Sequence, residues 1–207
     1  MEQFETEEQQ VEAIKRFWKE NGVAIVIGAV LGLGGLWGWR YYDEAQITAK
    51  ESASEAYQEM LVGLSAESTV ADLEPFIQAN SGKTYTTLAS LIAAQTAANQ
   101  GDLAKAVDLL ASAAANESDL ALGDLVNIRL ARAYFGLGEN DQALATLANI
   151  TTDAFVSAKE ALRGDILVAQ QDFSGATAAY QASLEAKDDA NVKMRLDDVA
   201  LQAANAG

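Results

Sequence analysis

Apolar residues follow two different patterns in this chain, and the change falls near residue 40. From Gly22 to Trp39 the run GVAIVIGAVLGLGGLWGW contains no charged residue. As a helix rising about 1.5 Å per residue it reaches roughly 27 Å, close to the hydrocarbon thickness of a bilayer. Lys15, Arg16 and Lys19 precede it, and Trp37, Trp39, Arg40, Tyr41 and Tyr42 close it, the arrangement of an aromatic belt with a basic anchor. Bulky residues follow the run where a cleavage site needs small ones, so the pattern predicts one uncleaved membrane-spanning helix over 22–40. Ahead of it, Val11, Ile14, Phe17 and Trp18 recur at three- to four-residue intervals. That spacing predicts an amphipathic helix on the membrane surface within a leader over 1–21, with a break or bend at Asn21-Gly22. Met1 to Glu8 are acidic and polar and are expected to be disordered.

Beyond Arg40 the apolar residues keep helical spacing, no alternating β-branched run occurs, and the only proline is Pro75. Tyr41 to about Leu64 reads as a helix. A second covers about Val70 to Asn80, capped by Ser68 or Thr69, with Pro75 bending it or marking a late start and Asn80-Ser81-Gly82 ending it. From Tyr85 onward the sequence repeats. Gly101-Asp102-Leu103-Ala104-Lys105-Ala106, Gly138-Glu139-Asn140-Asp141-Gln142-Ala143 and Gln171-Asp172-Phe173-Ser174-Gly175-Ala176 share one form, each between alanine-rich helical runs. Their spacing brackets the period of about 34 residues of tetratricopeptide repeats. Small residues (Ala94, Ala131, Gly164) fall where the first helix of a pair crosses its partner, Ala106, Ala143 and Ala176 open the second helix, and Leu110, Leu147 and Tyr180 fill the space behind. The final run, Ala190 to Ala204, has Val192, Leu196 and Val199 on one stripe and is suited to capping the last repeat. The fold class is therefore all-α: one N-terminal membrane helix, then a tetratricopeptide-like solenoid over 41–207.

Composition narrows the chemistry. The chain has no Cys and no His, which removes thiolate, imidazole and most zinc chemistry. Adjacent carboxylates such as Asp188-Asp189 and Asp197-Asp198 diverge by about 100° on a helix and make poor acid–base dyads. No catalytic residue, metal site or cofactor is expected. Net charge is −16 over 207 residues, and 24 Asp/Glu against 10 Lys/Arg lie after Arg40. Such a surface repels phosphate backbones, so nucleic acid is not an expected partner. Ala24, Gly28 and Gly32 are spaced by four residues along the span, as in helices that pack closely on another membrane helix. Three Lys/Arg stand before the span against Arg40 and Lys50 after it, a slight bias toward a cytoplasmic N-terminus.

The leader QVEAIKRFWKENG, the glycine-rich span ending in GWRYY, the degenerate repeats and the tail MRLDDVALQ together resemble the YfgM family of ancillary SecYEG translocon subunits. The resemblance covers essentially the whole chain. It implies an inner-membrane protein with a periplasmic repeat domain, associated with the SecYEG translocon and with the foldase PpiD, acting as an adaptor or chaperone for emerging client polypeptides. A membrane-tethered scaffold for another envelope assembly is the alternative, and a hydrolase acting near the membrane is a third. The repeats lack the early tryptophan and the proline after each pair that tetratricopeptides usually carry, and Gln171 stands at a turn where the other copies have glycine. By resemblance to tetratricopeptide folds, first helices line a concave groove. The matching positions are Leu88, Leu91 and Gln95, then Leu125, Ile128, Arg132 and Phe135, then Asp165 and Val168. Such a lining is apolar and implies an occupant. It is either the chain's own C-terminal helix or an apolar segment of a client or of PpiD.

Overall fold

The computed structural model describes residues 7–65, 67–80 and 84–206, and among them every regular element is helical. The disorder expected for Met1 to Glu8 falls on residues 1–6, outside the described residues, while Glu7 and Glu8 are already helical. The chain divides into two units, the first ending at Ser52 and the second beginning at Ala53.

The first unit is helical from Glu7 onward, within α1 (Glu7–Gly63). Of the break or bend expected at Asn21-Gly22, no break occurs, and the helix runs through both residues. A lone glycine inside a helix costs only about 1 kcal/mol, too little to end one between good helix formers. Asn21 returns its side-chain amide to the Phe17 carbonyl at 3.1 Å, and the Trp18 indole lies over Gly22. An 18-residue window of α1 has a mean hydropathy of 1.8, yet only 6% of it is buried within the chain. Its length and composition suffice to cross a membrane. Trp37 and Tyr41 stack at its end with ring centroids 6.0 Å apart.

The second unit starts with the last turns of α1, where Ala53 is buried and Tyr57 packs on Phe76 and Tyr85. Helix α2 (Val70–Ala79) begins behind Thr69, whose backbone N–H donates to the Asp72 carboxylate at 2.7 Å. There is no late start, and Pro75 sits within the helix. Asn80 follows as its cap; Ser81 and Gly82, expected to end it, lie outside the described residues.

Three helix pairs come next: α3 (Thr84–Asn99) with α4 (Leu103–Asn116), α5 (Leu120–Gly136) with α6 (Asn140–Ala148), and α7 (Val156–Ala169) with α8 (Phe173–Ala186). Helix α9 (Ala190–Ala206) follows. The turns inside the pairs are copies of one another. Gly101, Gly138 and Gln171 have φ of 83°, 78° and 64°. In each, the next residue's N–H reaches back to a carbonyl at 2.9 Å: Asp102 to Ala97, Glu139 to Tyr134, Asp172 to Leu167. This bond from C″ to C3 is the Schellman closure of a helix whose C′ residue is left-handed. Asp102 and Asp172 then cap the following helix through Lys105 N–H and Gly175 N–H, both at 2.9 Å.

The core is three linked clusters, each taking members from one pair and from the next helix. Leu91, Leu110 and Val126 belong to the first, Ile128, Leu147 and Ile166 to the second, and Tyr180, Val192 and Val199 to the third. All five alanines and the glycine assigned to crossings and second-helix starts are accounted for: Ala94, Ala131, Gly164, Ala106, Ala143 and Ala176 are buried. Between the second and third pairs, Asp124 is buried on α5 and accepts the backbone N–H of Thr152 at 2.8 Å and of Thr151 at 3.2 Å. Burial alone would raise the pKa of this carboxyl. Contacts from Thr152 and the Thr151 amide, with Lys159 adding its charge, outweigh burial and hold it below the ordinary aspartate value.

Two opposite stability changes are expected in the third pair. A Cβ built on Gly164 falls inside the van der Waals envelope of the buried Tyr180 ring, so Gly164→Ala should cost about 1–3 kcal/mol in a urea melt. Gln171→Gly should raise stability by up to about 1 kcal/mol by removing a side chain from the left-handed region. For Asp124→Ala the expected loss is about 1–3 kcal/mol at neutral pH, the cost of orphaning buried amides. The folded pKa is depressed, so the carboxylate's contribution is full above the unfolded value near about 3.9 and fades as pH falls through the folded one. Wild type and variant should therefore converge in acid melts; a gap independent of pH would refute the assignment.

Candidate functional site

Each first helix of a pair must serve two neighbours, its own second helix and the next repeat, and this decides where the nine proposed groove positions lie. Leu91 and Ile128 are buried in the first and second clusters. Leu88 and Leu125 are half-buried against the first cluster, Phe135 against the second and Val168 against the third. Gln95 and Arg132 are exposed, and Asp165 is partly so. The apolar members therefore pack wholly or in part within the clusters, and Gln95 and Arg132 stand on the face these helices share with solvent.

Two recesses lie along that face. One, of about 330 Å³ between α3, α4 and α5, brings together Leu91, Gln95, Leu103, Leu110, Arg129 and Arg132. The other, of about 390 Å³, lies between α5, the 3-10 turn Asp153–Phe155, α7 and α9, and holds Arg132, Asp165, Lys187 and Arg195. Arg132 borders both. Sequence reasoning missed Arg129, although it lies three residues before Arg132 and so on the same helical face.

At the end of the solenoid, three helices meet through one carboxylate. Asp165 on α7 accepts the Tyr180 hydroxyl of α8 at 2.8 Å and the Arg195 guanidinium of α9 at 2.7 and 3.0 Å. Burial, then the hydrogen bond to Asp165 and its charge, push the Tyr180 phenol pKa up, with Arg195 opposing. Val192 and Val199 are buried beside them and Leu196 packs on the same cluster. The C-terminal helix thus covers the third repeat, where the next first helix of a longer solenoid would sit.

On α1, Ala24, Gly28 and Gly32 are exposed, and a Cβ at either glycine meets nothing within 4 Å. Among the described residues no group of three or more Asp or Glu is arranged to hold a metal. Asp188 pairs with Lys193, and Asp189 accepts the Asn191 N–H at 2.8 Å at the start of α9.

The tetratricopeptide repeat-like domain family matches residues 15–201. The chain is 38% identical over 187 residues to the ancillary SecYEG translocon subunit of Escherichia coli K12, covering 89% of this chain and 90% of that one. With the protein of the same name from Haemophilus influenzae it shares 34% identity over 177 residues, 84% of this chain and 87% of the other. Among solved structures, MamA from Desulfovibrio magneticus RS-1 superposes with a TM-score of 0.58 at 14% identity, over 74% of this chain and 85% of that one. That likeness concerns the fold alone. Sequence and architecture agree, and the chain belongs to the family of ancillary SecYEG translocon subunits, with a tetratricopeptide repeat-like domain.

Proposed function

We propose that this protein is a single-pass inner-membrane subunit that associates with the SecYEG translocon and works by binding proteins. The observation that carries the reading is 38% identity over 89% of the chain to a protein named for that association. An almost wholly exposed apolar window in α1 supports the membrane half, since such a surface is stable only against lipid or another membrane helix. The slight excess of Lys15, Arg16 and Lys19 before the span supports a cytoplasmic N-terminus and a periplasmic repeat domain. In that arrangement α1 holds the repeats beside the exit of the channel, where they act as an adaptor or chaperone for emerging client polypeptides, together with a PpiD-like foldase. Tethering raises the local concentration of the repeat surface at the exit, so weak individual contacts suffice.

Photo-crosslinking in cells, from a reactive residue placed along α1 and on the repeat face, tests the reading. Adducts with translocon subunits from α1 are expected; adducts only with unrelated membrane proteins would favour a scaffold of another assembly. Gly28→Leu and Gly32→Leu both fit the free space on α1. Each should reduce co-purification of the translocon in mild detergent while leaving the helical signal and melting of the protein unchanged. Unaltered co-purification in both would show that this face does not carry the contact.

A further inference from the structure

We propose that the recess between α3, α4 and α5 docks a segment of a partner polypeptide that carries an acidic side chain next to an apolar one. The proposal deepens the protein-binding reading above and rests on it. The chain holds 30 Asp and Glu against 14 Lys and Arg, so carboxylates should dominate its surfaces. This recess reverses the balance: its charged lining is Arg129 and Arg132, with no acidic residue. In the repeat domain Lys105 pairs with Glu74, Arg163 with Glu160, Lys193 with Asp188 and Arg195 with Asp165, and Lys159 donates to the Ile150 carbonyl. Arg129 and Arg132 make no ion pair or hydrogen bond with any described residue.

Two guanidiniums three positions apart on α5 stand on one face, and each presents a planar fork that matches a carboxylate. Beneath them Leu91, Ala94, Leu103 and Leu110 supply an apolar floor. The occupant's chemistry follows from both halves: a carboxylate for the arginines and a neighbouring aliphatic or aromatic side chain for the floor. The surrounding field argues against anything less specific. A domain this acidic attracts basic segments at long range and repels acidic ones, so acidic selectivity has to come from local pairing at these arginines.

An array of random ten-residue peptides, tethered through amidated C-termini and probed at low salt with the full chain in detergent, tests this. Bound peptides should be enriched in Asp or Glu adjacent to Leu, Ile, Val or Phe. Replacing the acid by its amide in a selected peptide should weaken binding of the unaltered protein about tenfold or more, the scale of a charge-assisted hydrogen bond. The double variant Arg129→Gln/Arg132→Gln should lose the enrichment and Arg129→Lys/Arg132→Lys should retain part of it, both with unchanged helical content. Enrichment of basic peptides, or indifference to the acid-to-amide change, would overturn the proposal. The array contains no translocon, so its failure leaves the translocon association standing, and loss of translocon co-purification leaves the array result standing.

Discussion

Helix pairs can stack into a solenoid only if their backbones approach closely where they cross, and in this chain that approach is set by side-chain size. Ala94, Ala131 and Gly164 on first helices and Ala106, Ala143 and Ala176 on second helices are buried at the crossings. The larger Leu110, Leu147 and Tyr180 fill the volume behind them. The third pair shows the compensation most directly. Its filler is a tyrosine ring, and the facing residue has shrunk to glycine to admit it. The shared clusters follow from this spacing, because each first helix packs both on its own second helix and on the next repeat.

That double duty explains what could be read in advance. The turns were legible because glycine followed by aspartate or glutamate marks a left-handed residue and a cap, and Gln171 was identified by alignment with the other two copies. Crossing alanines were legible because they recur at fixed distances from those turns. The groove register was legible only in part. Spacing of three and four residues marks an apolar face without saying whether solvent or the next repeat lies against it, so Leu91 and Ile128 turned out to be interior while Gln95 and Arg132 reach the surface. Asp124 gave no signal at all. Its partners lie 27 and 28 residues further on, and nothing in the local sequence LALGDLV separates a buried acceptor from a solvated aspartate.

In the anchor the long-range reading is the stronger one, since the helix runs unbroken through Asn21-Gly22. A charge-free run of bilayer length is a strong statement because many residues contribute to it. Asn21-Gly22 is a weak one, resting on two residues whose helix penalty is small beside the propensity of their neighbours. Asn21 even contributes a bond to the helix that runs through it.

The third cluster has a temporal consequence. Two of its four buried members, Val192 and Val199, come from α9, and Arg195 from the same helix completes the pairing of Asp165. A chain made from its N-terminus forward can close its first and second clusters while α9 is still unsynthesised. The third stays incomplete, with Ala176 and Tyr180 lacking Val192 and Val199, until α9 has been made. The α9 helix therefore sets when the last pair can close, and a chain without it leaves the third cluster without two of its four buried members.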